Sequence, residues 1–294
     1  MGAATASHAS CPEDAVAQQL RAFSAAPGDL LRQVSIFRKC GFVIIRDLVG
    51  GHQCDGLLEF CKTHMQEFCT ENNFRRVGHW SCNSWLWWQC DALLDVMSSA
   101  VIHELMTSIL GDKWARWHFV KLAGDFVTSA CDYNQLVHSD QCGKLDLEYW
   151  WSHREQKYKV WGDTWPASIA VSVACHDIHP DNAPMAIARS WDHHKSFSAV
   201  HGSDISRMHI DDDDMLRVTL PRGWLVVRDI RLAHCGTANK LSHTRFLPGF
   251  LCSSQCQMTY DMYRPKQTLE AAQWQSFGVC RQSLSKRTRY MCAY

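Results

Sequence analysis

From Lys113 onward the chain breaks into short runs of β-branched and aromatic residues. Trp114–Leu122, Tyr133–Val137, Ser168–Cys175, Met215–Leu220, Trp224–Val227 and Phe246–Cys252 are expected strands. Turn-forming sequences separate them, such as Pro180-Asp-Asn182 and Pro221-Arg-Gly223. Before Lys113 the texture is helical. Asp29 is an N-cap candidate for a helix running to Cys40, which Gly41 ends before a strand over Phe42–Ile45. Further helices are expected over Glu13–Phe23, His52–Cys69 and Asp91–Leu110, the last closed by Gly111. The Trp-rich stretch His79–Gln89 reads as packed loop or short helix. Many short strands after a helical lead predict a mainly β fold with flanking helices, a jelly-roll or barrel core carrying helices on its outside. The expected organisation is a disordered tail over residues 1–12, then one domain over 13–294. Its parts are a helical lead (13–112), a β core (about 113–255) and a C-terminal extension (256–294).

Composition narrows the classes of partner. The 294 residues are 46% hydrophobic and balance 30 Lys and Arg against 30 Asp and Glu, which argues against a broad electrostatic footprint for nucleic acid. No apolar run approaches the roughly 18–20 residues needed to span a bilayer. The start, Met1-Gly-Ala-Ala-Thr-Ala-Ser7, lacks a basic n-region and an apolar h-region, so an intracellular, cytoplasmic location is expected. Fifteen Cys with no Cys-x-x-Cys pair exclude zinc-ribbon spacing and fit reduced thiols packed as small hydrophobes.

The chemistry concentrates at Gln135-Leu-Val-His-Ser-Asp-Gln141. At a strand end, His138 and Asp140 share a face and converge on one point. A second apolar run, Gly223-Trp-Leu-Val-Val-Arg-Asp-Ile-Arg-Leu-Ala-His234, also ends in a His. Two imidazoles and one carboxylate with the remaining positions open are the ligand set of non-haem Fe(II) oxygenases, so His138, Asp140 and His234 are the expected metal ligands and catalytic centre. His209-Ile-Asp211 is a rival pair, but it runs into the acidic stretch Asp211–Asp214 without a preceding apolar strand. His176, His179, His193 and His194 match no standard metal spacing.

The ordered blocks resemble the phytanoyl-CoA dioxygenase family of Fe(II)/2-oxoglutarate oxygenases. They are Gly-Phe-Val-Ile-Ile-Arg46, a helix ending in Ile-Leu-Gly111, the Gln135–Gln141 segment, His-Asp-Ile-His-Pro-Asp-Asn182, and the run into His234 followed by Arg245. The resemblance spans roughly residues 30–252. It implies a double-stranded β-helix (jelly roll, cupin-like), iron held by His138, Asp140 and His234, and Arg245 binding the distal carboxylate of 2-oxoglutarate. A guanidinium suits that task because it pairs with a carboxylate through two charge-assisted bonds. Lys121, Gln135 and Thr237 are further candidates for cosubstrate contacts. Trp150, Trp151 and Trp161, in the aromatic stretch after the His-x-Asp, are candidates to line a substrate pocket. The chain departs from the family at Ala183, where Gly is usual, over Ala188–His193, and at Gly236, where many members carry Ser or Thr.

The activity this implies is hydroxylation of a small organic or lipid-like substrate. It consumes O2 and 2-oxoglutarate, releases succinate and CO2, and has ascorbate as a candidate reductant. Related halogenases leave the carboxylate position open with a small residue, whereas Asp140 fills it here, which favours hydroxylation, desaturation or cyclisation. The alternative is a jelly-roll protein that binds a metal or small ligand without turnover. The sequence leaves the substrate and the oligomeric state open.

Overall fold

The computed structural model describes residues 20–71, 74–76, 78–110, 117–129, 131–135, 137–138, 140, 168–189, 215–230 and 232–254. Strand β1 (Ser24–Ala25) is followed by a helix over Leu30–Cys40. Asp29 caps that helix by accepting from the Arg32 amide at 3.2 Å. Gly41, at φ +80°, ends it in the left-handed conformation, and its N–H donates to the Phe37 carbonyl. The chain then enters β2 (Phe42–Ile45).

Two of the expected long helices are each broken in two. His52–Cys69 becomes Gly51–Thr63 and Met65–Glu71, divided at His64, whose ring pairs with Glu67 at 2.6 Å. Asp91–Leu110 becomes Asp91–Met97 and Ala100–Leu110, bent by 51°. The break falls at Ser98-Ser99, and the Ser98 hydroxyl donates back to the Leu94 carbonyl at 2.8 Å, a side-chain bond that competes with the helical ladder. Among the described residues, no single helix is long and apolar enough to cross a membrane. Between these helix pairs lie β3 (Phe74–Arg76), β4 (His79–Asn83) and a 3-10 turn over Trp85–Gln89, so the Trp-rich stretch is part strand and part helix.

The remaining strands are β5 (Trp117–Val127), β6 (Ser168–Val173), β7 (Met185–Ala188), β8 (Met215–Val218), β9 (Leu225–Asp229), β10 (His234–Gly236) and β11 (Arg245–Ser254). They form an eight-stranded sheet in the order β1-β2-β9-β6-β11-β5-β4-β3 and a three-stranded sheet β10-β7-β8. This is the jelly-roll core with flanking helices expected from the strand pattern. The short strands β7 and β10 escape sequence reading, being four and three residues long. The described residues of Tyr133–Val137 are not in a strand; among the described residues nearby, Cys131 bridges Asn239 and His138 bridges His234. The Gln135 side-chain oxygen accepts from the Gly236 amide at 2.9 Å, taking a place that a backbone carbonyl would fill in a regular ladder.

Strand alternation sorts the large sheet's side chains into two layers. Val43, Ile45, Leu225, Val227, Ile169, Val171, Phe246 and Phe250 pack against the helices through Leu57, Leu93, Ile102 and Met106. Phe42, Ile44, Val226 and Leu247 face the small sheet and meet Ile187, Leu216 and Val218. Arg228 lies between Val227 and Asp229 on β9 and shares the parity of Val226. Its guanidinium therefore enters the layer between the sheets. All ten cysteines described are free and nine are buried. Burial raises the Cys61 and Cys252 thiols well above their ordinary range.

Gly249 sits on β11 with β5 on one side and β6 on the other, opposite Ala123 and Ser172. A Cβ there would collide with the Val171 carbonyl, a ladder group that cannot move aside. Gly249→Ala is expected to cost about 3 kcal/mol, the upper range for overpacking. Urea denaturation checks this, and an unchanged midpoint would show that β6 and β11 can separate freely.

Candidate metal centre

Three segments meet where the small sheet opens. His234 begins β10 and exchanges both backbone hydrogen bonds with His138, at 2.9 and 2.8 Å. That pairing places the two imidazoles side by side, with ring centroids 4.5 Å apart. The Asp140 amide donates to the Ile230 carbonyl at 3.0 Å, tethering the carboxylate to the end of β9. One ligand atom from each of His138, Asp140 and His234 lies within 4.8 Å of the others. The His138 Nε2 is 3.8 Å from Asp140 Oδ1, and the His234 Nε2 is 3.4 Å from Asp140 Oδ2.

The donor set fits a divalent metal. Cis ligands about 2.1 Å from a metal stand roughly 3 Å apart, slightly closer than the separations here. The His234 Nδ1 lies 2.9 Å from the Leu232 carbonyl, which requires the proton on Nδ1 and leaves the Nε2 lone pair free. Burial opposes the ionised form of Asp140. The charges of His234 and Arg228 outweigh it and hold the carboxyl well below the usual carboxylate range. The site thus offers two imidazole nitrogens and one anionic carboxylate. Asp140 keeps 40% of its side chain exposed and His138 20%, against 6% for His234, so the centre opens on the Asp140 side.

Arg228 escaped the sequence reading. Its Nη2 donates to Asp140 Oδ2 at 2.7 Å, and the residue is only 4% exposed. The available signal was a lone charge at an inward position of an apolar strand, Leu225-Val-Val-Arg-Asp229.

Arg245 begins β11 and is 2% exposed. Its Nε donates to the Ala183 carbonyl at 3.0 Å and its Nη1 to the Asp125 carbonyl at 2.6 Å. Two of its five N–H groups are thereby identified with carbonyl partners, and no carboxylate among the described residues forms an ion pair with it. Burial pulls its pKa down to about 10, offset in part by the Asp125 charge. His176, beside it, accepts from the Phe246 amide through Nε2 at 3.0 Å. Burial lowers His176 to about 4, keeping it neutral and a structural acceptor.

The other candidates fall elsewhere. Lys121 lies on β5 opposite Leu251 and is exposed. Gln135 bonds Gly236 through both its amide and its side chain. The buried Thr237 hydroxyl donates to the Pro184 carbonyl at 2.7 Å. Gln135 and Thr237, with Val137, Ala186, Arg217 and Cys235, line a small cavity of about 130 Å³. Cys235 alternates with His234, so that cavity lies across the small sheet from the imidazoles. Trp150, Trp151 and Trp161 lie outside the described residues, as do His193, His194, His209 and Asp211.

No protein-family model matches the sequence, and no curated protein matches it. Solved structures do share the fold. One is a non-haem monooxygenase, the ThoJ–Ni complex, at 18% identity over 77% of each chain with a TM-score of 0.51. Another is the non-haem α-ketoglutarate-dependent epimerase SnoN from nogalamycin biosynthesis, at 13% identity over 77% of this chain and 83% of that one, TM-score 0.53. A third is EctD from S. alaskensis, solved with 2-oxoglutarate and 5-hydroxyectoine, at 14% identity over 78% of this chain and 77% of that one, TM-score 0.52. The core thus shares its jelly-roll fold with these three proteins. A monooxygenase and an epimerase both appear among the neighbours, so the fold by itself does not set the reaction.

Proposed function

We propose that this chain is an Fe(II)/2-oxoglutarate-dependent oxygenase acting on a small organic molecule, with hydroxylation as the expected outcome. The observation that carries the reading is the meeting of His138, Asp140 and His234, with the His234 tautomer set to present Nε2. The ordered sequence blocks support a phytanoyl-CoA dioxygenase type within that class. EctD and SnoN, which share the fold, were solved with 2-oxoglutarate or α-ketoglutarate.

In this reading His138, Asp140 and His234 hold the iron. Bound iron, with 2-oxoglutarate and O2, supplies the oxidising chemistry that ends in succinate and CO2. The protein's own groups bind and orient. Arg245, buried and without a carboxylate partner among the described residues, takes the far carboxylate of the cosubstrate. Phe42, Ile44, Val226 and Leu247 make the neighbouring interior dry, which strengthens each charged contact there.

The Asp140–Arg228 ion pair favours one rival, a protein that binds metal or ligand without turnover, because the carboxylate already has a cation beside it. Incubation with Fe(II) and 2-oxoglutarate under air separates the two. Succinate release, abolished in His138→Ala, is expected. Bound iron without succinate, with or without candidate substrates, would favour the binder.

A further inference from the structure

Arg228 is an expensive residue to keep where it is. It is 4% exposed on a strand whose Cα partners are Phe42 and Ala170. Among the described residues, Nη2 has an acceptor in Asp140 Oδ2, and the buried Nε and Nη1 have none. Unsatisfied buried donors destabilise a fold, and a buried ion pair is often replaceable by apolar groups without loss. Fold stability therefore does not explain this arginine. Its one directed contact does.

We infer that Arg228 is a positioning residue that makes Asp140 a one-oxygen metal ligand. The inference rests on the metal reading above. Asp140 is held from two directions by the end of β9: its amide by the Ile230 carbonyl at 3.0 Å, its Oδ2 by Arg228 at 2.7 Å. Arg228 occupies one lone pair of Oδ2 and fixes the carboxylate plane, which turns Oδ1, 3.8 Å from the His138 Nε2, into the oxygen assigned to the metal. A carboxylate free to turn can bind through both oxygens and fill a second coordination position. Three positions must stay open for a bidentate 2-oxo acid and a third ligand beside it. Arg228 keeps them open, and its fixed charge also weakens the site's pull on a divalent cation.

These two effects have opposite signs, which provides the test. Fe(II) is titrated into the metal-free protein without oxygen, and 2-oxoglutarate follows. The readout is the visible charge-transfer absorption of a 2-oxo acid chelated to Fe(II). Arg228→Met is expected to bind Fe(II) as tightly as the wild type or more tightly, yet to need about tenfold more 2-oxoglutarate to develop the absorption. Arg228→Lys, which keeps the charge but not the planar donor, is expected to fall between. Wild-type behaviour in both steps would overturn the inference. So would weakening of both steps together, which marks general damage. Should Arg228→Met fail to fold, Arg228→Lys decides on the same two constants. A wild-type protein that binds no Fe(II), or shows no absorption, sinks the oxygenase reading itself and this inference with it.

Discussion

Asp140→Ala is expected to abolish metal retention and also to destabilise the metal-free fold by about 2 kcal/mol, the cost of leaving a buried donor without its acceptor. The two losses have separate causes. Metal retention fails because two imidazoles alone make a weak site. Stability falls because the Arg228 guanidinium would remain, 4% exposed, with no acceptor among the described residues. Most surface carboxylates can be removed at far smaller cost, so an effect this size at a side chain that is 40% exposed is diagnostic. The double variant Asp140→Ala/Arg228→Met separates the causes. It is expected to recover most of the stability and none of the metal binding. Urea denaturation and metal content after dialysis measure the two quantities independently. A single variant as stable as the wild type would mean that Arg228 finds water or another acceptor once Asp140 is gone.

Much of this site was legible because its parts follow local rules. A His two residues from an Asp, and a His closing an apolar run, are visible as patterns, and the structure brings both to one place, although the expected strand before His138 is replaced by an isolated bridge. Asp29 and Gly41 announced the boundaries of the first described helix through capping and a positive φ. What the sequence concealed was non-local. The break at Ser98 depends on a hydroxyl turning back on its own helix. The irregular stretch before His138 depends on Gln135 reaching Gly236, a hundred residues away. The importance of Arg228 depends on Asp140, which is brought to it by the pairing of His138 with His234 and by the bond of its own amide to the Ile230 carbonyl. Thr237 and Gln135 drew notice as polar groups near the expected site. Their hydrogen bonds to Pro184 and Gly236 commit them to holding the small sheet's edge together. Type and spacing show which residues could do chemistry; strand register decides which of them face it.

Arg245 carries the second large expectation. Arg245→Met should raise the 2-oxoglutarate concentration needed for half-saturation about 100-fold, equivalent to ~3 kcal/mol for a lost charge-assisted contact in a dry site. Lysine should not rescue it, since an ammonium cannot keep the bonds to the Ala183 and Asp125 carbonyls and also present a flat pair of donors. Those carbonyl bonds raise the competing possibility that Arg245 merely staples β11 to β5 and to the turn before β7. The cosubstrate itself resolves this. A 2-oxo acid without a distal carboxylate, such as pyruvate, has nothing for Arg245 to hold. If the arginine reads that carboxylate, the variant loses its grip on 2-oxoglutarate and binds pyruvate as weakly as the wild type does. If the arginine is a staple, loosening the strand disturbs the whole centre and both acids weaken by the same factor. The ratio of the two affinities, compared between wild type and variant, is therefore the quantity that assigns Arg245 its role, and an unchanged ratio would remove it from the cosubstrate site.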